Sequence, residues 1–205
     1  MAIHCVNPNT IGSEAEEILT VVEQQGGRFL ENFENVIRNL DSHWKGTDAV
    51  KNLGDLASVY SALTLLIQNV ESLIVDLNNN EVLPLQRHIY YGGGDCVIGN
   101  ELSERFKSRD PHITVQTEGT ESWTAPEIIA DAETFKEFPS EFNSFIEALT
   151  GAKETLLANW LEGANREAVV TAFKTFDEHV LEFKEQLKTV KENLTIVADY
   201  KKQLF

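Results

Sequence analysis

The chain has 205 residues, 42% hydrophobic and 24% charged, the composition of a globular protein with material for a sizeable core. Its 17 Lys+Arg against 33 Asp+Glu leave a formal net charge of −16, which argues against nucleic acid or an anionic membrane as partner, because phosphates would be repelled. No apolar run approaches the ~20 residues that span a bilayer, and Met1 to Pro8 has neither the basic nor the apolar region of a Sec-type signal peptide.

Taken from the N-terminus, Cys5 and Cys96 make no disulfide framework; isolated thiols are expected, although parity allows one bridge. Ser13-Glu-Ala-Glu16 reads as a capping box and predicts a helix start. Gly26-Gly27 interrupts that helix at roughly 1–2 kcal/mol of propensity, marking a kink or a close backbone approach. The helix then runs to Trp44-Lys-Gly46, and a second comes after it with apolar residues at Leu53, Leu56, Val59, Leu63, Leu66, Val70, Leu73 and Leu77. From Leu56 on the spacing alternates three and four, as in a coiled-coil seam.

The middle changes character. Asn78-Asn-Asn80, Leu83-Pro-Leu and Gly92-Gly-Gly94 break the pattern, a short helix is expected from Asn100 to about Ser108, and Ile89-Tyr-Tyr91 pairs with Ile113-Thr-Val115 as a small two-strand element. A short helix over about 126–137 and a longer one from near Pro139 lead to Trp160-Leu-Glu-Gly163. The final helix carries Val170, Phe173, Phe176, Val180, Phe183, Leu187, Val190 and Leu194.

These two stretches are one pattern repeated. With the glycines aligned, the apolar positions of the last helix fall at the offsets of those after Gly46. With the tryptophans aligned, Leu40, Phe33, Phe29 and Val22 correspond to Leu156, Leu149, Phe145 and Phe138. Each half is therefore helix, Trp-Gly turn, helix: a first hairpin in residues 1–80, an insertion in 81–125 and a second hairpin in 126–205. Glycine after a helix takes the left-handed conformation without strain. A tryptophan just before it closes the hairpin end, burying about 200 Å², or anchors a partner where the cleft stays open.

The helix–Trp-x-Gly–helix arrangement, acidic and without a signal peptide, resembles the WXG100 (ESAT-6-like) proteins of type VII secretion. Trp44-Lys-Gly46 has the spacing of that family; Trp160-Leu-Glu-Gly163 has one residue more, yet continues with Ala164, Phe173, Leu187, Leu194, Ala198 and Tyr200 in the family manner. The resemblance covers about residues 14–80 and 126–203. It implies an all-α fold in which the two hairpins pair as an antiparallel four-helix bundle, an intramolecular pseudo-dimer, with pairing between two copies as the other arrangement. The intervening segment is long enough to span the ~35–45 Å that antiparallel pairing requires.

The same resemblance implies a non-enzymatic protein, secreted without a Sec signal and cytoplasmic before export, whose partners are the secretion machinery or a co-exported protein. Tyr91-Gly-Gly-Gly-Asp95 has the Tyr-xxx-Asp/Glu form of the family's secretion signal, although there the signal lies on a helical tail; Tyr200-Lys-Lys-Gln-Leu204 lacks the acid. The alternatives are an intracellular helical adaptor unrelated to secretion, and an enzyme or ligand binder using the insertion.

No catalytic set is suggested by position. His179 sits among Asp177 and Glu178 on a solvated helix face, and His43 is placed to assist a helix C-terminus. His88, Asp95, Cys96 and His112 match no zinc spacing. Gly92-Gly-Gly94 lacks the lysine of a phosphate-binding loop. No metal and no cofactor is expected.

Overall fold

Residues 4–5, 7–115, 122–162 and 166–203 are described by a computed structural model. In chain order they form β1 (His4–Cys5), α1 (Pro8–Val21), a π-helical turn (Val22–Gly26), α2 (Gly27–His43), β2 (Trp44–Lys45) and α3 (Thr47–Leu77). A second π-helical turn (Asn78–Val82), α4 (Leu83–Tyr91), β3 (Ser122–Trp123), α5 (Ala125–Phe135), α6 (Phe138–Asn159), β4 (Trp160–Glu162) and α7 (Arg166–Gln203) complete them. Among the described residues the fold is all-α apart from four very short strands.

The first helix starts earlier than the Ser13 box predicts. Asn7 is extended, and its Oδ1 accepts from the N–H groups of Asn9 and Thr10 at 3.0 and 3.3 Å. Pro8 comes next, in the first turn, where its missing N–H goes unneeded. Ser13 lies inside α1 and its hydroxyl donates to the Thr10 carbonyl at 3.1 Å. Nor do Gly26 and Gly27 end the helix. The π-helical turn carries it past them, and a Cβ on Gly26 would sit 3.2 Å from ring carbons of Phe145. The close approach is thus that of an aromatic side chain, not of another backbone.

Two expectations for the middle segment are overturned. Ile89–Tyr91 is helical, because the chain continues from α3 through the second π-helical turn into α4. That turn lets Pro84, within the first turn of α4, be accommodated without breaking the rod. Ile113–Val115 forms no strand, and Asn100–Ser108 is not a helix but irregular backbone ending in a bend and a turn. The Asn100 carbonyl, both backbone groups of Leu102 and Phe106, and the Arg105 N–H are taken by side chains of α3 and the second π-helical turn. The continuous helix Thr47–Tyr91, 45 residues, is long and apolar enough by length and composition to cross a membrane; 44% of its most apolar window lies inside the fold.

The stripe of α3 is also displaced from the predicted one. Leu53, Leu56, Val59, Leu63, Val70 and Leu77 are buried as expected, but Tyr60 is buried beside Val59, and Ile67 and Ile74 take the places predicted for Leu66 and Leu73. Leu66 and Leu73 are only partly covered. Where two apolar residues stand side by side, periodicity alone does not choose between them.

The chain divides into two compact units. One comprises Met1–Gly26, Leu66–Ser108 and Ser144–His179; its core includes Ile11, Ile18, Ile74, Leu156, Trp160 and Phe173. The other comprises Gly27–Leu65, Arg109–Asn143 and Val180–Phe205. An aromatic cluster fills it: Phe29, Phe33, Tyr60, Phe135, Phe138 and Phe142, with ring centroids 4.8–6.0 Å apart and mostly edge-on. In that unit Arg109 donates to the Tyr60 hydroxyl at 2.9 Å and to Glu34 at 3.1 Å.

Gly54 lies inside α3 and Gly151 inside α6, and a Cβ at either would meet nothing within 4 Å. Alanine at each position should therefore raise stability by about 0.5–1 kcal/mol. Urea unfolding of Gly54→Ala and Gly151→Ala checks this; a loss at either site would mean that the helix needs glycine there.

Candidate functional site

The Trp-Gly turns are the two places where helix gives way to strand, and each is built by a different part of the chain. At the first turn, α2 ends at His43 and Trp44–Lys45 runs extended. Gly46 then adopts φ 117°, a conformation that L side chains rarely take, and α3 begins at Thr47. The extended dipeptide pairs antiparallel with β3, Trp44 opposite Trp123 and Lys45 opposite Ser122. The Thr124 N–H donates to the His43 carbonyl at 3.0 Å, so a chain segment remote in sequence satisfies the end of α2.

Trp44 is 1% exposed. Its strand partner Trp123 is half-buried, and the Lys201 ammonium of α7 stands 3.7 Å from the Trp123 ring centroid, a cation–π contact. His43 Nδ1 and Asp131 Oδ2 of α5 are 3.0 Å apart. Burial pushes the Asp131 carboxyl above its ordinary 3.8, and His43 and Asn39 offset that only in part. Lys45 is within 3.3 Å of Asp41 one turn back.

At the second turn, α6 ends at Asn159 and Trp160–Glu162 runs extended. It pairs antiparallel with β1, Cys5 opposite Trp160 and His4 opposite Glu162, with an irregular step between them. The Arg166 guanidinium donates to the Trp160 carbonyl. Trp160 is likewise 1% exposed. It borders a narrow cleft with Pro8, Ile11, Leu77, Val82 and Leu85, of about 220 Å³ including open solvent. Gly163 lies outside the described residues.

Both tryptophans are therefore packed inside the fold, and neither ring offers free surface in this conformation. Tyr91 and Asp95 are placed quite differently. Tyr91 is the last residue of α4 and 79% exposed, stacked edge-on against Tyr90 at 5.4 Å. The Gly92 and Gly94 N–H groups bond back to His88 and Ile89 at 3.1 and 2.9 Å, and Gly93 has φ 82°. The chain thus leaves the helix before Asp95, which is exposed. Helix, glycine turn and acid are adjacent, but the two side chains do not share one helical face.

The other chemistry-bearing residues stand apart. His88, His112 and His179 are exposed, and Cys96 is a buried free thiol donating to Asn9 Oδ1 at 3.1 Å. Burial, then neighbouring Asp95, pushes that thiol up. Among the described residues no three His, Cys, Asp or Glu converge as a metal site.

The sequence pattern does not single out Trp123, Lys201 or the strand partners. One signal is present: Asn7 and Thr124 are both extended residues with a proline in the helical turn that follows, Pro8 and Pro126. No known protein family, curated protein or solved structure matches the chain.

Removing either ring empties a buried space. Trp44→Ala and Trp160→Ala should each lower unfolding stability by about 3 kcal/mol or more; a loss below about half a kcal/mol would mean that the ring does not hold its turn together.

Asp131 yields a pH test at the first turn. Its carboxyl is raised in the folded chain, so the fold binds the proton more tightly than the unfolded chain does. The stability this contributes is full below pH 3.8 and is lost as pH rises through the higher folded value. Asp131→Asn, which cannot ionise, should gain stability relative to the parent as pH is raised through that window. Paired denaturation curves measure it, and a difference independent of pH would remove Asp131 as the cause.

Proposed function

We propose that this chain is a fused pair of WXG100-like hairpins, pairing antiparallel as a four-helix bundle, that acts by binding protein and is exported by, or assists, a type VII-like secretion system. The observation that carries the reading is reciprocal: the turn of each hairpin pairs with the strand that opens the other one. Two like hairpins meeting turn to open end generate such a pattern. The make-up of the units supports the same arrangement. The unit holding the Trp160 turn also holds the start of α1 and the end of α3, and the unit holding the Trp44 turn also holds the start of α6 and the end of α7.

With both tryptophans inside the fold, the exposed Tyr91 and the neighbouring Asp95 become the better candidates for recognition by secretion machinery. An exposed tyrosine is a large, rigid contact for a partner. The net charge of −16 favours a basic docking surface on that partner.

Expression in a bacterium with a functioning type VII apparatus tests this. The chain should appear in the medium only when the secretion ATPase is active, and Tyr91→Ala or Asp95→Ala should lower export several-fold without changing the thermal midpoint. Retention in the cell while a control substrate is exported would overturn the reading in favour of an intracellular adaptor. Light scattering bears on the pairing: a 23.0 kDa monomer is expected, and an obligate dimer would place the pairing between copies.

A further inference from the structure

We propose that Cys5 and Cys96 form a reversible disulfide, made by exchange with a low-molecular-weight disulfide, which ties the strand that closes the Trp160 turn to the segment after α4. In this structure Cys96 is a free thiol. The bond makes the closure of that turn sensitive to redox conditions, with or without any role in secretion.

The fold brings the only two cysteines of the sequence into one neighbourhood. Cys5 lies opposite Trp160 in the β1–β4 pair, and Trp160 borders the same cleft as Pro8 and Leu85. Gln86, next along α4, donates to the Pro8 carbonyl at 3.1 Å and accepts from the Gly99 N–H at 2.9 Å. Those two bonds draw the segment after α4 against the start of α1. Asn9 completes the approach, its Oδ1 accepting from the Cys96 thiol at 3.1 Å and from the Val97 N–H at 3.2 Å. Cys5 stands four positions before Asn9, at most ~14 Å of extended chain. A disulfide needs its Cα atoms within about 7 Å, so a local shift closes the bond. The segment is suited to one: residues 96–100 are irregular, Val97 is 70% exposed, and the Val97 and Gly99 N–H groups are held by side chains, not by a helix or sheet.

The pairing of β1 with β4 covers only two residues and is irregular, so a covalent tie at Cys5 adds what the hydrogen bonds lack. The bridge closes a loop of about ninety residues, and a long loop restricts the unfolded chain strongly. Burial and the neighbouring Asp95 keep the Cys96 thiol protonated, which leaves the first attack to Cys5. The Cys5 thiolate attacks the small disulfide and forms a mixed disulfide, and one small thiol leaves. Cys96 then gives up its proton and attacks the Cys5 sulfur, displacing the second small thiol. The two cysteines are oxidised by two electrons, and the small disulfide is reduced to two thiols. An excess of small thiol reverses both steps.

The test incubates the full, folded chain with oxidised glutathione, quenches it with acid and reads the intact and digested masses. A monomer lighter by two hydrogens is expected, with the Cys5 peptide joined to the Cys96 peptide and a thermal midpoint several degrees higher. Dithiothreitol should reverse both changes. Cys96→Ser should stop at a glutathione adduct on Cys5, and Cys5→Ser should leave Cys96 unreacted. Separate glutathione adducts on the two cysteines of the parent, a disulfide-linked dimer, or two unreacted thiols would each overturn the proposal. A bridge that leaves the midpoint unchanged would overturn the tie to the turn. Should Cys96→Ser fail to fold, the digest of the parent still decides, because it reports the partner of Cys96 directly.

Discussion

Each Trp-Gly turn is closed by a two-residue antiparallel pairing with the segment that opens the other half of the chain, and the placement of nearly every other element depends on it. A helix that ends in a sharp reversal leaves carbonyl and N–H groups without helical partners. Here they find them in extended residues far away in sequence: Thr124 on the carbonyl of His43, and Cys5 opposite Trp160. The strands are too short to be a sheet in any energetic sense. Their effect is positional, because each brings a proline-started helix to the end of a tryptophan turn.

The two π-helical turns serve the same use of long rods. An extra residue in a helical turn rotates the remainder of the helix and frees a backbone group that the adjoining turns must satisfy. At Val22–Gly26 it carries the helix past a glycine whose bare backbone lies against the Phe145 ring. At Asn78–Val82 it lets a helix continue into a proline-containing stretch and brings Asn78 and Asn79 to the face that binds residues 100–102. Both turns therefore sit where side chains need an unusual approach, not where a helix weakens.

Much of this is legible in the residues. The apolar repeat anticipates all-α structure, Pro139 anticipates the break between α5 and α6, and Leu40, Phe33, Phe29, Leu156, Leu149 and Phe145 are all buried. The position of Gly46 anticipates its positive φ. The middle segment departs from expectation for a physical reason. Asn78-Asn-Asn80, Pro84 and Gly92–Gly94 are local breakers, and local rules end a helix at the first of them. The buried amides and Glu71, however, draw their worth from a segment 13 to 35 residues further on. A polar residue that looks like a loop in sequence is a backbone receptor in the fold. For the same reason the expected helix at Asn100–Ser108 gives way: its own backbone bonds are replaced by bonds to side chains.

Sequence alone anticipated a helical chain in which one apolar periodicity recurs around Trp44 and Trp160, and a positive φ at Gly46, because periodicity and glycine's freedom are properties of neighbouring residues. The tertiary structure decided which apolar residues of α3 face inward, what pairs with each turn, and that the tryptophans are packed away while Tyr91 stands in solvent. Those outcomes rest on burial and on hydrogen bonds between segments distant along the chain, and no local pattern carries them.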